Sequence, residues 1–339
     1  MKKKLRVSVV GATGMVGREI LRLLMDRRFP MSDLTLFSSK RSAGTGVEVA
    51  GELVSVELLK ESSFLENTDL ALCSAGKAVS QLVRSWVQGT KVVVVDNSSA
   101  FRMDPEVPLV VPEVNPQDLR GHKNYIANPN CSTIQLVVAL KPLNDAFGLK
   151  RVVVSTYQSV SGAGQKGMNE LSTQVQDLFS GKTIHIDHFP QRIAFNCIPH
   201  IGTFGDNGYT DEEMKMTNEC RKMLGIPDLK VSCTAVRVPV FSCHSESVMI
   251  EFQRKASVAG IREILAKAPG VLVADEPEKG IYPTPAAAVE TPDVHIGRIR
   301  PDISGKNAFH MWVVSDNLWK GAALNAVQIA EQLLKDKLL

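Results

Sequence analysis

Val7-Ser8-Val9-Val10-Gly11-Ala12-Thr13-Gly14-Met15-Val16-Gly17 is the stretch that decides the fold. Its β-branched start reads as a strand, and Met15 to Met25 carries apolar residues at helical spacing, so the glycines fill the turn between a first strand and a first helix. A helix N-terminus offers unpaired amide N–H groups and a partial positive charge, and glycine lets a pyrophosphate come close to the backbone. Gly11, Ala12, Thr13, Gly14, Met15 and Val16 are therefore the expected cradle of a dinucleotide. The second strand, Leu34 to Phe37, runs into Ser38-Ser39-Lys40-Arg41-Ser42, where an acidic residue would select a ribose 2′-hydroxyl. Hydroxyls and cations stand there instead, so Ser38, Ser39 and Arg41 point to a 2′-phosphate and hence to NADP.

Outward from this loop, strand and helix patterns alternate through Leu70 to Cys73, Val79 to Val87, Val92 to Asp96 and Tyr125 to Asn128. Strand, crossover and strand in that order predict a parallel α/β sheet. From Arg151 the texture changes to longer strands, Arg151 to Gln158, Ser232 to Val240, Ser247 to Phe252 and Phe309 to Ser315, which predict a second domain on a mixed or antiparallel sheet. The amphipathic segment Gly321 to Leu338 has no sheet of its own and is expected to return to the first domain. The boundaries expected are 1–128 plus 321–339 for the first domain and 129–320 for the second.

The 339 residues hold 44% hydrophobic and 22% charged side chains, the balance of a globular protein able to bury two cores. A net charge of +3, from 39 basic and 36 acidic residues, is too balanced to argue by itself for nucleic acid or a membrane surface, and neither is expected as a partner. Lys2, Lys3 and Lys4 precede a short strand and not an apolar signal segment, so they read as a solvated terminus of a cytoplasmic protein. The six cysteines show no CxxC spacing, and reduced thiols are expected.

One cysteine differs in context. Pro129 ends the strand at Asn128, and Cys131 opens a helical pattern behind Asn130, a residue suited to an N-cap. A helix N-terminus favours thiolate over thiol, and with an ordinary pKa of about 8.5 each unit of depression raises the thiolate fraction at neutral pH about tenfold. Such a nucleophile needs a proton-transfer partner, and His244 at a strand junction is the best placed of seven histidines. Arg237, seven residues earlier, is read on the same strand as a fork for a carboxylate. His185 and His188 lack a third ligand and read as a surface loop, so no metal is expected.

Four segments together, Gly11 to Gly17, Asn128 to Thr133, Gln158 to Gly164 and Arg237 to His244, resemble the aspartate-semialdehyde dehydrogenase family over nearly the whole chain. The resemblance implies an α/β protein: an N-terminal Rossmann-like NADP-binding domain and an α+β catalytic and dimerisation domain with a mixed sheet. It implies NADPH-dependent reductive dephosphorylation of L-β-aspartyl phosphate to L-aspartate β-semialdehyde through a cysteine thioester, serving the biosynthesis of lysine, threonine, methionine and diaminopimelate. Cys131 is then the nucleophile, His244 the acid and base, and Gln158 the residue that orients the acyl intermediate. Arg237 meets the substrate α-carboxylate, Glu212 its ammonium group, Lys215 and Arg102 its phosphate, and Asn130 lines the same pocket.

Further cofactor contacts implied are Ser74, Ala75, Gly76, Asn97, Ser161, Gly162 and Asn325. The family pattern also implies a homodimer and no metal. One departure is Trp319, where many bacterial relatives carry Arg. Glu212 separates this reading from N-acetylglutamyl-phosphate reductase, whose substrate has no free ammonium group. A glyceraldehyde-3-phosphate dehydrogenase differs around the cysteine and in the cofactor loop, and a noncatalytic NADP-binding relative would not need Cys131, Gln158, Arg237 and His244 together.

Overall fold

The computed structural model describes residues 4–339; Lys4 is exposed, and Lys2 and Lys3 lie outside the described residues. The chain divides into two compact units, one running to Asn130 and resuming at Ala322 through Leu339, the other spanning Cys131–Gly321.

The first unit is built on β1 (Leu5–Val10), α1 (Met15–Asp26), β2 (Met31–Ser38), β3 (Gly46–Val49), β4 (Glu52–Leu58), α2 (Glu61–Glu66), β5 (Leu70–Cys73), α3 (Lys77–Val87), β6 (Val93–Asp96) and β7 (Tyr125–Ala127). Its seven strands lie in the order β3-β4-β2-β1-β5-β6-β7, parallel except for the β3–β4 pair. Strands β5 and β6 are buried at every position, as a sheet covered on both faces demands of its apolar runs. The β3–β4 hairpin, which the sequence reading did not foresee, turns on Ala50 and Gly51 with φ of +52° and +86°. Two residues of positive φ match the strand twist, but without the usual Asn-Gly pair they give little signal.

The second unit contains α4 (Cys131–Phe147), β8 (Leu149–Gln158), α5 (Gly164–Phe179), α6 (Asp211–Leu224), β9 (Lys230–Arg237), β10 (His244–Phe252), α7 (Val258–Ala266), β11 (Val271–Val273), α8 (Pro285–Ala288), β12 (Val294–Pro301) and β13 (Ala308–Ser315). Six strands in the order β11-β12-β13-β10-β8-β9 form a mixed sheet, parallel at β8–β9 and β11–β12. Helix α4 is buried without a break from Ser132 to Leu140 and packs on β8, β10, β12 and β13, the behaviour of a helix apolar all round. Helix α6 is set by local rules. Thr210 and Glu213 close a capping box, three acids occupy its first turn, and Gly225 ends it in the left-handed region. The last helix, α9 (Leu324–Lys335), belongs to the first unit and packs on α1, β5 and β6.

Between α4 and the sheet lies a carboxyl group out of reach of water. Glu246 on β10 is 0% exposed, and the facing Gln135 amide closes no hydrogen bond of ordinary geometry with it. The thiols of Cys220 and Cys233 feel its field, the latter pushed up to about 12 by burial. Burial alone drives the Glu246 pKa well above the ordinary carboxylate value, only partly opposed by Gln135. A raised folded pKa means that stability present below the unfolded value of 4.5 is lost as pH rises from there. Glu246→Gln is therefore expected to raise the urea midpoint at about pH 8 and to leave it unchanged at about pH 4, measured by tryptophan fluorescence.

Candidate active site

In the first unit the loops after β1, β2, β5 and β6 lie together at the carboxyl ends of the parallel strands. Gly11 N–H donates to the Phe37 carbonyl at 2.8 Å, Ser74 N–H to Val10 at 2.8 Å and Asn97 N–H to Cys73 at 2.9 Å. Such strand ends are where open α/β sheets bind ligands. Gly11 has φ of +86°, and a Cβ there would stand 2.5 Å from the Ser74 carbonyl oxygen; one on Gly17 would stand 2.2 Å from the Gly11 oxygen. The N-cap of α1 is Gly14, which is exposed and makes no side-chain cap, so no side chain competes for the first amides of that helix. This cradle fits a pyrophosphate. Ala12 is buried, Thr13, Met15 and Val16 are half-buried, and Ser39 and Arg41 are exposed past the end of β2 while Ser38 is buried.

Ser74 and Ala75 are half-buried, and Gly76 is exposed at the N-cap of α3. Asn97 accepts from Asn128 Nδ2 at 2.5 Å, and its carbonyl accepts from Arg102 Nη2 at 2.8 Å. Asn325 is fully buried, donating to Asn128 Oδ1 at 2.6 Å and to the Val110 carbonyl at 3.0 Å. Asn130 is 7% exposed and ends this part of the unit.

The second unit gathers its own set, and the pleat explains how. Register pairs Gln158 with Arg237 at the carboxyl ends of β8 and β9, while Ser245 pairs with Tyr157, setting His244 beside Gln158 at the start of β10. Directly paired residues share a face, so Gln158, Arg237 and His244 stand on one side of the sheet at one end. The expectation that one strand holds both Arg237 and His244 is corrected, as is the expected strand end at Val240. Strand β9 ends at Arg237, Pro239 cannot donate to a ladder, and Cys243 has φ of +69°, so the chain turns and His244 begins the next strand.

Helices α4 and α6 supply the rest. Gln158 Nε2 donates to Ser132 Oγ, next to Cys131, and to Glu212 Oε1 at 3.2 Å. Lys215 binds Asp211 at 2.8 Å and Glu212 at 3.2 Å. Burial works against its charge, but the two carboxylates outweigh it and the Lys215 pKa is raised. Arg237 is 7% exposed and donates from Nη1 to the Ser159 carbonyl at 2.7 Å. Burial lowers its pKa, against the fields of Glu212 and Cys131. His244 is 1% exposed, and burial first, then Arg237, hold its pKa well below the usual imidazole range. Among the described residues, Arg237 Nε, Gln158 Oε1 and His244 Nε2 are buried without a hydrogen-bond partner. A buried cation, a buried acid and unmatched polar atoms at the end of a helix can receive a small zwitterion and an acyl oxygen.

Ser161 and Gly162 lie on this second unit, directly after β8. A Cβ on Gly162 would stand 2.9 Å from Arg237 Nη1 and 3.0 Å from His244 Nε2, and one on Gly321 would stand 2.9 Å from Cys131 Cβ. The sequence reading gave no role to Gly321, Ser132, Ser159 or Asn317. The stretch around Asn317 attracts attention only through Trp319, which is half-buried behind the Asp316 turn.

Residues 6–122 match the family described as semialdehyde dehydrogenase, NAD binding domain, and residues 140–320 the semialdehyde dehydrogenase, dimerisation domain. The aspartate-semialdehyde dehydrogenase of Bacillus subtilis (strain 168) is 52% identical over 343 residues, covering 99% of each chain. That of Aquifex aeolicus (strain VF5) is 50% identical over 98% of this chain and 99% of its own. Among solved structures, aspartate semialdehyde dehydrogenase II from Vibrio cholerae, in a form complexed with ASA, superposes with a TM-score of 0.94 at 43% identity, over 98% of this chain and 99% of that one. By sequence over its full length and by its fold, this chain belongs to the aspartate-semialdehyde dehydrogenase family.

Proposed function

We propose that the protein catalyses the NADPH-dependent reductive dephosphorylation of L-β-aspartyl phosphate to L-aspartate β-semialdehyde, releasing phosphate. The observation that carries this reading is the buried Arg237 with Glu212 in its field, a cation and an acid set for the carboxylate and ammonium of one amino acid. Lys215, kept charged by Glu212 and Asp211, suits a phosphate.

Cys131 attacks the acyl carbon as thiolate, and the bond to phosphate breaks with its electron pair leaving on oxygen, which gives a thioester on Cys131. Gln158, tied to Ser132 beside the nucleophile and to Glu212, orients the acyl group. When bound, NADPH supplies a hydride to the thioester carbon. His244 is assigned as the acid and base at the oxygen where charge develops, and release of the aldehyde restores the Cys131 thiolate. On the first unit, Gly11 to Val16 suit the pyrophosphate, and Ser38, Ser39 and Arg41 the 2′-phosphate. Ser74 to Gly76, Asn97 and Asn325 are assigned to the same cofactor, and Arg102 and Asn130 to the substrate. Ser161 and Gly162 on the second unit are assigned to the cofactor as well.

We also infer a homodimer formed through the sheet face opposite Gln158. There Tyr157 and Trp312 lie 5.2 Å apart beside a cavity of 440 Å³ that Tyr282, Arg298 and Arg300 help to line, and apolar ground with a polar rim supports a protein partner. No helix among the described residues is long and apolar enough to cross a membrane, and the reading is that of a cytoplasmic enzyme feeding lysine, threonine, methionine and diaminopimelate synthesis.

The test is reduction of NADP, followed by absorbance, with aspartate semialdehyde and phosphate. Turnover must require phosphate and vanish in Cys131→Ser, with NADP still bound; turnover of N-acetylglutamate semialdehyde alone would overturn the assignment of Glu212. Arg237→Ala is expected to lower kcat/KM by about thirtyfold to several thousandfold, from about 2–5 kcal/mol of unpaired substrate charge, with Lys restoring only part. Gly162→Ala, whose methyl meets Arg237 and His244, is expected to cost about ten- to a hundredfold in kcat/KM while leaving the circular dichroism and melting temperature unchanged.

A further inference from the structure

We propose that Asp96 and Arg84 are positioning residues for phosphate: through two separate sets of contacts they hold the loop from Asn97 to Asp104, and so fix the guanidinium of Arg102 before the anion arrives. The inference rests on the assignment of Arg102 to the phosphate made above. The clamp itself lies wholly within the first unit.

Asp96 closes β6 and is 1% exposed, a carboxylate sunk at the carboxyl end of a parallel sheet. Four neutral donors meet it, two at each oxygen. Oδ1 accepts from the Ser98 main-chain N–H and from Ser80 Oγ, both at 2.9 Å, and Oδ2 from Ser98 Oγ at 2.7 Å and Tyr125 Oη at 2.9 Å. Ser98 Oγ itself receives the Ala100 N–H at 3.2 Å, a donor that cannot reverse, so its single proton goes to Asp96. Burial first, then the field of Asp96, push the Tyr125 hydroxyl up, which keeps it a donor. The carboxylate thereby orders the main chain from Ser98 to Ala100 as an aspartate turn followed by a serine turn.

Those turns lead into Arg102, whose Nη2 donates to the Asn97 carbonyl at 2.8 Å. Phe101, the residue before it, meets the Tyr125 ring edge to face at 5.4 Å, and the Arg84 guanidinium on α3 lies 4.2 Å from the centre of the Phe101 ring. Arg84 also binds Asp104 at 2.7 Å, and the Asp104 N–H returns to the Phe101 carbonyl at 3.1 Å. Tyr125 serves both grips, with its hydroxyl on Asp96 and its ring on Phe101. Arg102 is 8% exposed, a long side chain ordered before it is used. Where that ordering is lost, binding of the anion has to supply it, and affinity falls.

The cofactor side of the loop has support of its own. Asn97, assigned to the dinucleotide, is tied by its N–H to the Cys73 carbonyl at 2.9 Å and by its side chain to Asn128. Neither bond uses the Asp96 carboxyl group, so loosening the clamp acts on phosphate and leaves the cofactor in place. The chemistry divides in the same way. With aspartate semialdehyde, the Cys131 thiolate adds to the aldehyde carbon, hydride passes to NADP as C=O re-forms, and a thioester remains. A phosphate oxygen then attacks the thioester carbon, and the C–S bond breaks with its pair on Sγ. Arg102 serves the second event alone.

Rapid mixing of enzyme, NADP and aspartate semialdehyde without phosphate gives a burst of reduced cofactor, and steady-state rates against inorganic phosphate give its KM. For Asp96→Asn the burst rate and the NADP affinity are expected within about twofold of the wild type, with KM for phosphate raised about ten- to a hundredfold. Arg84→Met removes the ring contact and the bond to Asp104, and is expected to raise the same KM about three- to tenfold with the burst intact. It decides the matter if Asp96→Asn does not fold. An unchanged phosphate KM in either folded variant, or a burst and NADP affinity lost along with it, would overturn the clamp. Arg102→Leu separates the clamp from the reading beneath it. If that variant keeps the wild-type phosphate KM, the assignment of Arg102 fails; if it raises the KM and Asp96→Asn does not, the assignment stands and the clamp fails.

Discussion

A guanidinium withdrawn from water has to be met by oxygen, and the strand ends of the second unit are arranged around that demand at Arg237. The group is more than nine-tenths buried, donates to the Ser159 carbonyl and sits in the field of Glu212. Glu212 lies in the first turn of α6, where the capping box and N-terminal dipole favour negative charge. Gln158 then spans from Glu212 to Ser132, so the position of a cation on β9 is felt at the first turn of α4. The same cation opposes a charge on His244, which is why arginine and imidazole can share a dry corner without either displacing the other. Replacing any one member leaves a buried charge or polar atom unmatched, and such losses exceed the value of the bond itself.

Much of this was legible in the chain as letters. The alternation of β-branched and helical runs through residues 7–128 corresponds to the parallel strands β1, β2, β5, β6 and β7, because a strand covered on both faces must be apolar throughout. The change of texture after Arg151 corresponds to the mixed sheet. Cys131 as the start of a helix was readable from Pro129 and the polar residues around it, since proline and short polar side chains act on the backbone within a few residues.

What could not be read depends on partners far along the chain. Arg237 and His244 seemed to share a strand; they face one another's neighbour because β8 lies between their strands, and only register reveals that. Asn317 looked like any polar turn residue, yet its amide meets groups more than seventy residues away. Glu246 sits in an alternating strand pattern that would place any residue of its parity inside, and nothing local marks it as an acid kept from water. Periodicity tells which face a residue takes; it does not tell what waits on that face.

The contact between Cys131 and Gly321 carries a topological meaning. These are the first and last residues of the second unit, and the glycine lies against the cysteine so closely that a methyl group would not fit. A segment that leaves and returns at one point is, in chain terms, a loop of the first unit grown into a domain, and adjacent ends are what make such insertions tolerable. The thiol stands on the residue that opens that segment.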